Sequence, residues 1–276
     1  MNALLICARE ELTLSLRSRW TQIFAIVFAL LALFVAWSGY ILSGGYGAQD
    51  FARTSASLIQ LVILVVPLAS LVIGVLSIAT ERGAAEILFS QPVARRTILF
   101  GQMLGIFAAL AAAEAIGFGF AGIVIFSNAG HGGIGRYLIV VAGSILLTAV
   151  FVALAAAIGA ASFGRRRARA LAVALVVWFA AIVLFDLGAL GVASFLKSGH
   201  ATRVLVASVI VNPVDAIRTG TMFAVSGTTA FGAASLAFLR IVKGPWSAAA
   251  LLSASILFWI AVPTMIAARR LRKTDL

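Results

Sequence analysis

Only three lysines occur in this chain, Lys197, Lys243 and Lys273, and none follows a glycine. A P-loop needs a lysine at the end of its glycine-rich turn to reach the terminal phosphates, so the chain is not its own P-loop ATPase. The one cysteine, Cys7, excludes a disulfide within the chain. Soft-metal transit needs several Cys, Met or His ligands facing one another. The whole inventory is Cys7, His131, His200, Met1, Met103, Met222 and Met265, with both histidines expected in outside loops, so no metal site is assigned. Charge is scarce as well: 11% of the 276 residues are charged against 63% apolar, with a mean hydropathy of +1.13. That balance excludes a soluble globular domain.

What is abundant is long apolar sequence. A membrane-spanning helix takes roughly 20 predominantly apolar residues, and six such runs occur, at Thr21–Leu42, Leu58–Thr80, Ile98–Phe126, Tyr137–Phe163, Leu171–Leu196 and Pro245–Ala268. The first follows a leader containing Glu10 and Glu11 and outlasts a signal-peptide core, so it is read as a retained span. The net charge of +12 lies mostly beside the runs. Fourteen of the 21 Lys and Arg residues fall in the leader, the second and fourth connections and the tail, and only seven in the alternate segments. By the positive-inside rule this puts both termini in the cytoplasm and reads the basic residues as topology signals, with no nucleic-acid partner. The 197–244 segment is ambiguous, because Val204–Val211 and Thr221–Leu239 are apolar enough to enter the bilayer. A single crossing would reverse the basic tail. A pair of re-entrant half-helices broken at Pro213 preserves it.

Two carboxylates lie inside runs, Glu114 in the third and Asp186 in the fifth. Intramembrane ionisable groups mark either a pathway or a buried pairing, and both readings stay open for these two. A proton-coupled carrier typically shows a relay of several such groups, so that alternative is the weaker. Gly101 and Gly105, and Ala155 with Gly159, have the four-residue spacing that allows close helix approach. The leader places Leu5, Leu12, Leu16 and Trp20 on one helical face and Arg9, Thr13 and Arg17 on another, describing an amphipathic helix on the inner membrane surface. After the second run, Glu81, Arg82 and Glu86 precede Ile87, Leu88 and Phe89, and Pro92 stops the element before Arg95 and Arg96. A short helix with acids at its N-terminal end is electrostatically favoured, and it presents Leu88 and Phe89 to a partner.

Taken together, the elbow-like leader, six runs, the Glu-Arg-Gly then Glu-Ile-Leu-Phe-Ser-Gln-Pro-Val-x-Arg loop and the long segment before the last run resemble the permease subunits of ABC-2 type transporters. Within that family, Ser90 to Val93 and Asn212-Pro213-Val214-Asp215-Ala216-Ile217-Arg218 are most similar to the NosY-type permeases of nitrous oxide reductase maturation systems. The resemblance implies an all-α integral membrane protein with six transmembrane helices, of the ABC-2 (type V exporter-like) fold. One permease domain would span 1–276, with an elbow helix at 1–20, a coupling loop at 81–97 and a periplasmic, re-entrant segment at 197–244. It implies a non-catalytic subunit in the bacterial inner membrane, working as a homodimer with two NosF-like ATPase subunits that carry ATP and Mg; this chain holds no cofactor. It also implies a NosD-like periplasmic partner, and a task in supplying a sulfur species or assisting copper-site assembly. Alternatives are export of another small molecule or a lipid. Glu81, Arg82, Glu86, Leu88, Phe89, Pro92, Arg95 and Arg96 are then the ATPase-coupling residues, Glu114 and Asp186 the pathway or buried polar groups, and His131, Arg136, Asp215, Arg218, Thr221 and Met222 the contacts for a periplasmic partner.

The charge pattern makes a topology prediction. Reporter fusions after Asp50, His131 and Gly227 should score periplasmic, and fusions after Gly164 and Leu276 cytoplasmic; a periplasmic C-terminus would overturn the assignment.

Overall fold

The computed structural model describes residues 3–43, 47–79, 93–129, 133–162, 167–230 and 232–273, and among them every regular element is helical. Apolar sequence of this length leaves the backbone no other choice, since in lipid each N–H and C=O must find its partner within the segment. In chain order the helices are α1 (Ala3–Arg17), α2 (Arg19–Ser43), α3 (Gly47–Ile78), α4 (Arg95–Ala129), α5 (Ile134–Ala161) and α6 (Arg167–Phe179). After a π-helical turn at Ala180–Leu184 come α7 (Phe185–Ser194), α8 (Ser198–Val211), α9 (Pro213–Ser226), α10 (Ala233–Ile241) and α11 (Pro245–Lys273). Among the described residues six helical stretches are long and apolar enough to cross a bilayer, and they overlap the six expected runs; α6, the π turn and α7 together make the fifth. The expected pair of half-helices is α8 and α9, whose axes meet at 98° across Asn212. The apolar stretch Thr221–Leu239 is not one element, because Gly227 and Gly232 take φ of 61° and 56° and divide α9 from α10. His200, expected in a loop, lies in the first turn of α8.

Packing sorts the spans into two layers. Half or more of the apolar window is buried in spans two to four (α3, α4, α5), against 22%, 11% and 17% in spans one, five and six. The inner three enclose the main core, where Phe28, Phe151, Leu58, Leu110 and Leu147 are almost wholly inaccessible. The outer spans turn Ile26, Leu30 and Phe34 of α2, Val176 and Leu187 of the fifth span, and Leu257 and Phe258 of α11 outward. Such faces meet lipid tails or another apolar surface. A smaller core of Val206, Phe238, Val242 and Leu252 lies under α8 to α11.

Small residues decide how closely the helices approach. The Gly101 and Gly105 pair receives the elbow helix α1: a Cβ on Gly101 would stand 2.5 Å from Cys7 Cβ, and one on Gly105 2.6 Å from Glu11 Cβ. Further along α4, Gly117 lies against the Phe28 ring of α2. The second small pair joins α5 to α3, with Ala155 against Gly74 and Gly159 against Ile78. Consequently α1 buries its small and polar face, including Glu11 and Ser15, while Leu5, Leu16 and Trp20 stay about half exposed, as an interfacial helix requires. Glu11 is itself bonded, its carboxylate accepting from Ser15 Oγ at 3.2 Å and from Ser77 Oγ of α3.

Arginines close the helix ends on this side. Arg95 Nη1, in the first turn of α4, donates to Leu271 O near the end of α11 at 3.2 Å, and Arg167 Nε, opening α6, donates to Ala79 O beyond α3 at 3.1 Å. C-terminal carbonyls lack intrahelical donors, and a cation is favoured there. The elbow, the start of α4 and the end of α11 therefore meet at one end of the bundle, called here the termini-bearing end.

The docked elbow offers a direct test, because the lone Cys7 lies at the α1–α4 contact. Overpacking costs about 1–3 kcal/mol, so Gly101→Val or Gly105→Val should speed maleimide labelling of Cys7 by roughly tenfold or more. Gly119→Val on the same helix, where a Cβ meets nothing within 4 Å, should leave it unchanged. Equal labelling in all of them would mean that α1 is not held in this groove.

Candidate functional site

The break between α8 and α9 is where the sequence departs most from a plain bundle, and its neighbours fix its depth. Asn212 precedes Pro213 in the order of an N-cap followed by proline at the first helical position. Its Oδ1 accepts from Val214 N–H at 3.1 Å, capping α9. Its Nδ2 donates to Ala181 O at 2.8 Å, within the π turn of the fifth span, and to Asp215 Oδ2 at 3.1 Å. In that turn the bonding widens, with Phe185 N–H reaching back to Ala180 O. On the other side, Trp259 Nε1 of α11 donates to Val211 O, the last carbonyl of α8, at 2.8 Å. Ala181 lies halfway along Arg167–Ser194 and Trp259 halfway along Pro245–Lys273, so the chain turns through 98° beside the middle of two spans.

Asp186 and Asp215, which the sequence placed in separate roles, meet here. Their carboxyl groups are close neighbours, and Asp215 also accepts from Asn212 Nδ2. Arg218, one turn further along α9, has Nη1 3.7 Å from Asp215 Oδ1 and keeps 38% of its side chain exposed, against 11% for Asp215. A cavity of about 230 Å³ opens beside the ion pair, walled by Val206, Val209, Phe223 and Phe238. Carboxyl, amide and guanidinium groups in this arrangement bind and orient; they make no nucleophile–base pair.

The other expected residues are distributed as follows. Glu114 is fully buried near the middle of α4, accepting from Ser144 Oγ at 2.5 Å and from Thr148 Oγ1, one turn apart on α5. Thr221 is buried against Gly143 of α5, where a Cβ would overlap its hydroxyl. Met222 packs on the main core, and Arg136 is exposed in the first turn of α5. Arg95 and Arg96 open α4, the first bonded to Leu271 O and the second exposed. Glu81, Arg82, Glu86, Leu88, Phe89, Pro92 and His131 lie outside the described residues. Among the described residues no group of three or more His, Cys, Asp or Glu is placed to hold a metal ion.

Sequence reasoning treated Asn212 only as part of a break and passed over Trp178 and Trp259. The cap was detectable, since Asn before Pro is a helix-start signal. The indoles were not: Trp178 Nε1 donates to Leu64 O at 3.2 Å, in the turn of α3 that Pro67 interrupts, and nothing local to Trp178 announces that partner.

The node predicts a graded response. Asn212→Ala removes the donor to Ala181 O and the acceptor for Val214 N–H, and a buried polar group left unpaired costs about 1–3 kcal/mol. The purified chain should therefore melt earlier by several degrees. Asn212→Ser keeps a capping acceptor but is too short to reach Ala181, and should fall between. A wild-type melting point for Asn212→Ala would show that the bridge does not hold the break.

Comparison with known proteins agrees with this architecture over its whole length. A family model described as ABC-2 family transporter protein matches residues 5–276. A protein of Pseudomonas aeruginosa named "Probable ABC transporter permease protein NosY" is 33% identical over 269 residues, covering 91% of this chain and 96% of that protein. One of the same name from Stutzerimonas stutzeri is 31% identical over 277 residues, covering 97% of each. The six spans and the half-helices on either side of Asn212 thus all fall inside one matched region, and the chain belongs to the ABC-2 family of transporter permeases.

Proposed function

We propose that this chain is the membrane subunit of an ABC transporter serving maturation of a periplasmic nitrous oxide reductase, in the manner its NosY-named relatives suggest. The observation that carries the reading is end-to-end similarity to two such proteins, a match that includes the Asn212–Arg218 segment from which the mid-depth node is built. In this reading the protein is a homodimer in the bacterial inner membrane with both termini cytoplasmic, and the termini-bearing end faces two NosF-like ATPase subunits that bind ATP and Mg. A NosD-like protein meets the opposite end, near α8 to α10 and Arg136. The cargo is a sulfur species, favoured over copper because the sequence holds one cysteine, two histidines and four methionines for any soft-metal path. A purely mechanical action on the periplasmic partner uses the same machinery.

Energy enters at the segment that leads into Arg95. Leu88 and Phe89 supply the apolar centre of an ATPase contact, with Glu81, Arg82, Glu86, Pro92 and Arg96 around it. Arg95 joins that segment to the bundle, because it begins α4 and also holds the end of α11. A pull on the loop is therefore delivered to α4, to the elbow docked on Gly101 and Gly105, and to the last span.

Truncating a well-packed aromatic anchor commonly costs about 2 kcal/mol or more in binding. Phe89→Ala, or the Leu88→Ala, Phe89→Ala double variant, should reduce co-purification of the ATPase subunit and lower the sulfur and copper content of nitrous oxide reductase from the same cells; Arg95→Ala alone should act mildly on capture. Wild-type ATPase recovery in the double variant removes the loop from the mechanism. Normally loaded reductase in cells lacking this chain overturns the maturation role.

A further inference from the structure

At the termini-bearing end a second cavity, of about 480 Å³, lies between the elbow, α3, α4 and the start of α6. Its volume falls in the range of small-molecule sites, roughly 300–1,000 Å³, and its lining differs in kind from the apolar cavity beside Arg218. Polar groups of both signs face it: Glu11, Ser18, Ser77, Gln102 and Arg167. Arg167 spends its Nε on Ala79 O, while the rest of its fork remains for an oxyanion. Ser15 and Ser77 both donate to Oε1 of Glu11, and the second carboxylate oxygen keeps its acceptor capacity.

Depth identifies the occupant. Ser77 is in the last turn of α3, Trp20 in the first turn of α2 and Arg167 is the first residue of α6, so the cavity lies where spans leave the hydrocarbon. Leu14, Trp20, Ile73 and Leu76 form its apolar wall; Leu14 and Trp20 are 63% and 57% exposed, the placing of an interfacial apolar rim. A ligand for this site carries an anion and a cation on one small polar head and an apolar body below it.

We propose that the cavity is a headgroup site for a phosphoethanolamine phospholipid of the leaflet at the termini-bearing end. The phosphate sits against Arg167 with Gln102 and Ser18 donating, and the primary ammonium donates to Glu11. Phosphatidylcholine matches the phosphate but has no N–H for the carboxylate, and phosphatidylglycerol brings no cation. The site therefore discriminates by headgroup as well as by charge.

The test is native mass spectrometry of the full-length chain released from vesicles of equal parts phosphatidylethanolamine, phosphatidylcholine and phosphatidylglycerol. The wild type should retain phosphatidylethanolamine about tenfold over either competitor, the scale of one charge-assisted hydrogen bond. Arg167→Gln should lose most retention of all three. Glu11→Gln, which keeps an acceptor for Ser15 and Ser77, should retain lipid but lose the preference for ethanolamine. Gln102→Leu supplies a third variant that leaves Arg167 and Glu11 in place, and it should lower retention severalfold. Equal retention of the three lipids by the wild type overturns the proposal, as does unchanged retention in Arg167→Gln. Displacement of the lipid by equimolar free phosphoethanolamine would assign the site to a soluble ligand instead. Loss of ATPase co-purification in Arg167→Gln with lipid retention intact would assign it to the subunit contact.

Discussion

A chain that breaks sharply between two half-helices beside the middle of its neighbouring spans leaves helix-end backbone groups without intrahelical partners, and the fold depends on satisfying those groups from within. Asn212 does most of this. One amide caps the returning half-helix, bonds the carbonyl of a widened turn in the fifth span and supports the Asp215 carboxyl, while Trp259 supplies the donor for the last carbonyl of the incoming half-helix. Each contact joins a different part of the outer layer to the same point. The break is consequently a junction at which the fifth and sixth spans meet the two half-helices.

The inner layer solves a different problem by different means. Between helices in lipid there is no hydrophobic gain from association, so close packing and internal hydrogen bonds must hold them. Gly74, Gly101, Gly105, Gly117 and Gly159 let backbones approach until side chains from the facing helix touch them. Glu114 adds the one bond type that packing cannot replace: its two oxygens take two hydroxyls from successive turns of α5, which fixes the rotation of α4 relative to α5 as well as their separation. Both of its carboxyl oxygens are thus hydrogen-bonded within the bundle.

Much of this was legible in the sequence, and the reason is that the bilayer imposes simple rules. Six runs of sufficient length gave six spans, the elbow followed from the Leu and Arg faces of the leader, and Pro213 marked the break because it cannot extend α8. The small-residue pairs signalled close contact, though not which helix would fill each one; Gly101 and Gly105 receive α1, a helix that periodicity alone places on the membrane surface. What stayed hidden were pairings between distant positions. Asn212 and Ala181 lie 31 residues apart, and Trp178 and Leu64 114 apart, and in each the acceptor is a carbonyl that any residue carries. Asp186 and Asp215 each looked like an isolated acid, since only the return of α9 toward the fifth span brings them together.

Those hidden pairings also connect the two ends of the molecule. Arg95 begins α4, whose Glu114 grips Ser144 of α5; the neighbouring Gly143 is the surface on which Thr221 of α9 rests, and α9 starts at Asn212. The links between helices are a buried side-chain hydrogen bond and a direct side-chain contact on bare backbone. Because packed interiors deform little and shift as units, α4, α5 and α9 form one contiguous block, bordered by the widened turn of the fifth span and the division at Gly227 and Gly232. In the proposed assembly, a load applied where α4 begins would reach the far end as displacement of α9 against α8 and α10. That is the part of the fold whose outer half holds the Arg218 cavity and, in the proposed assembly, the face a periplasmic partner meets.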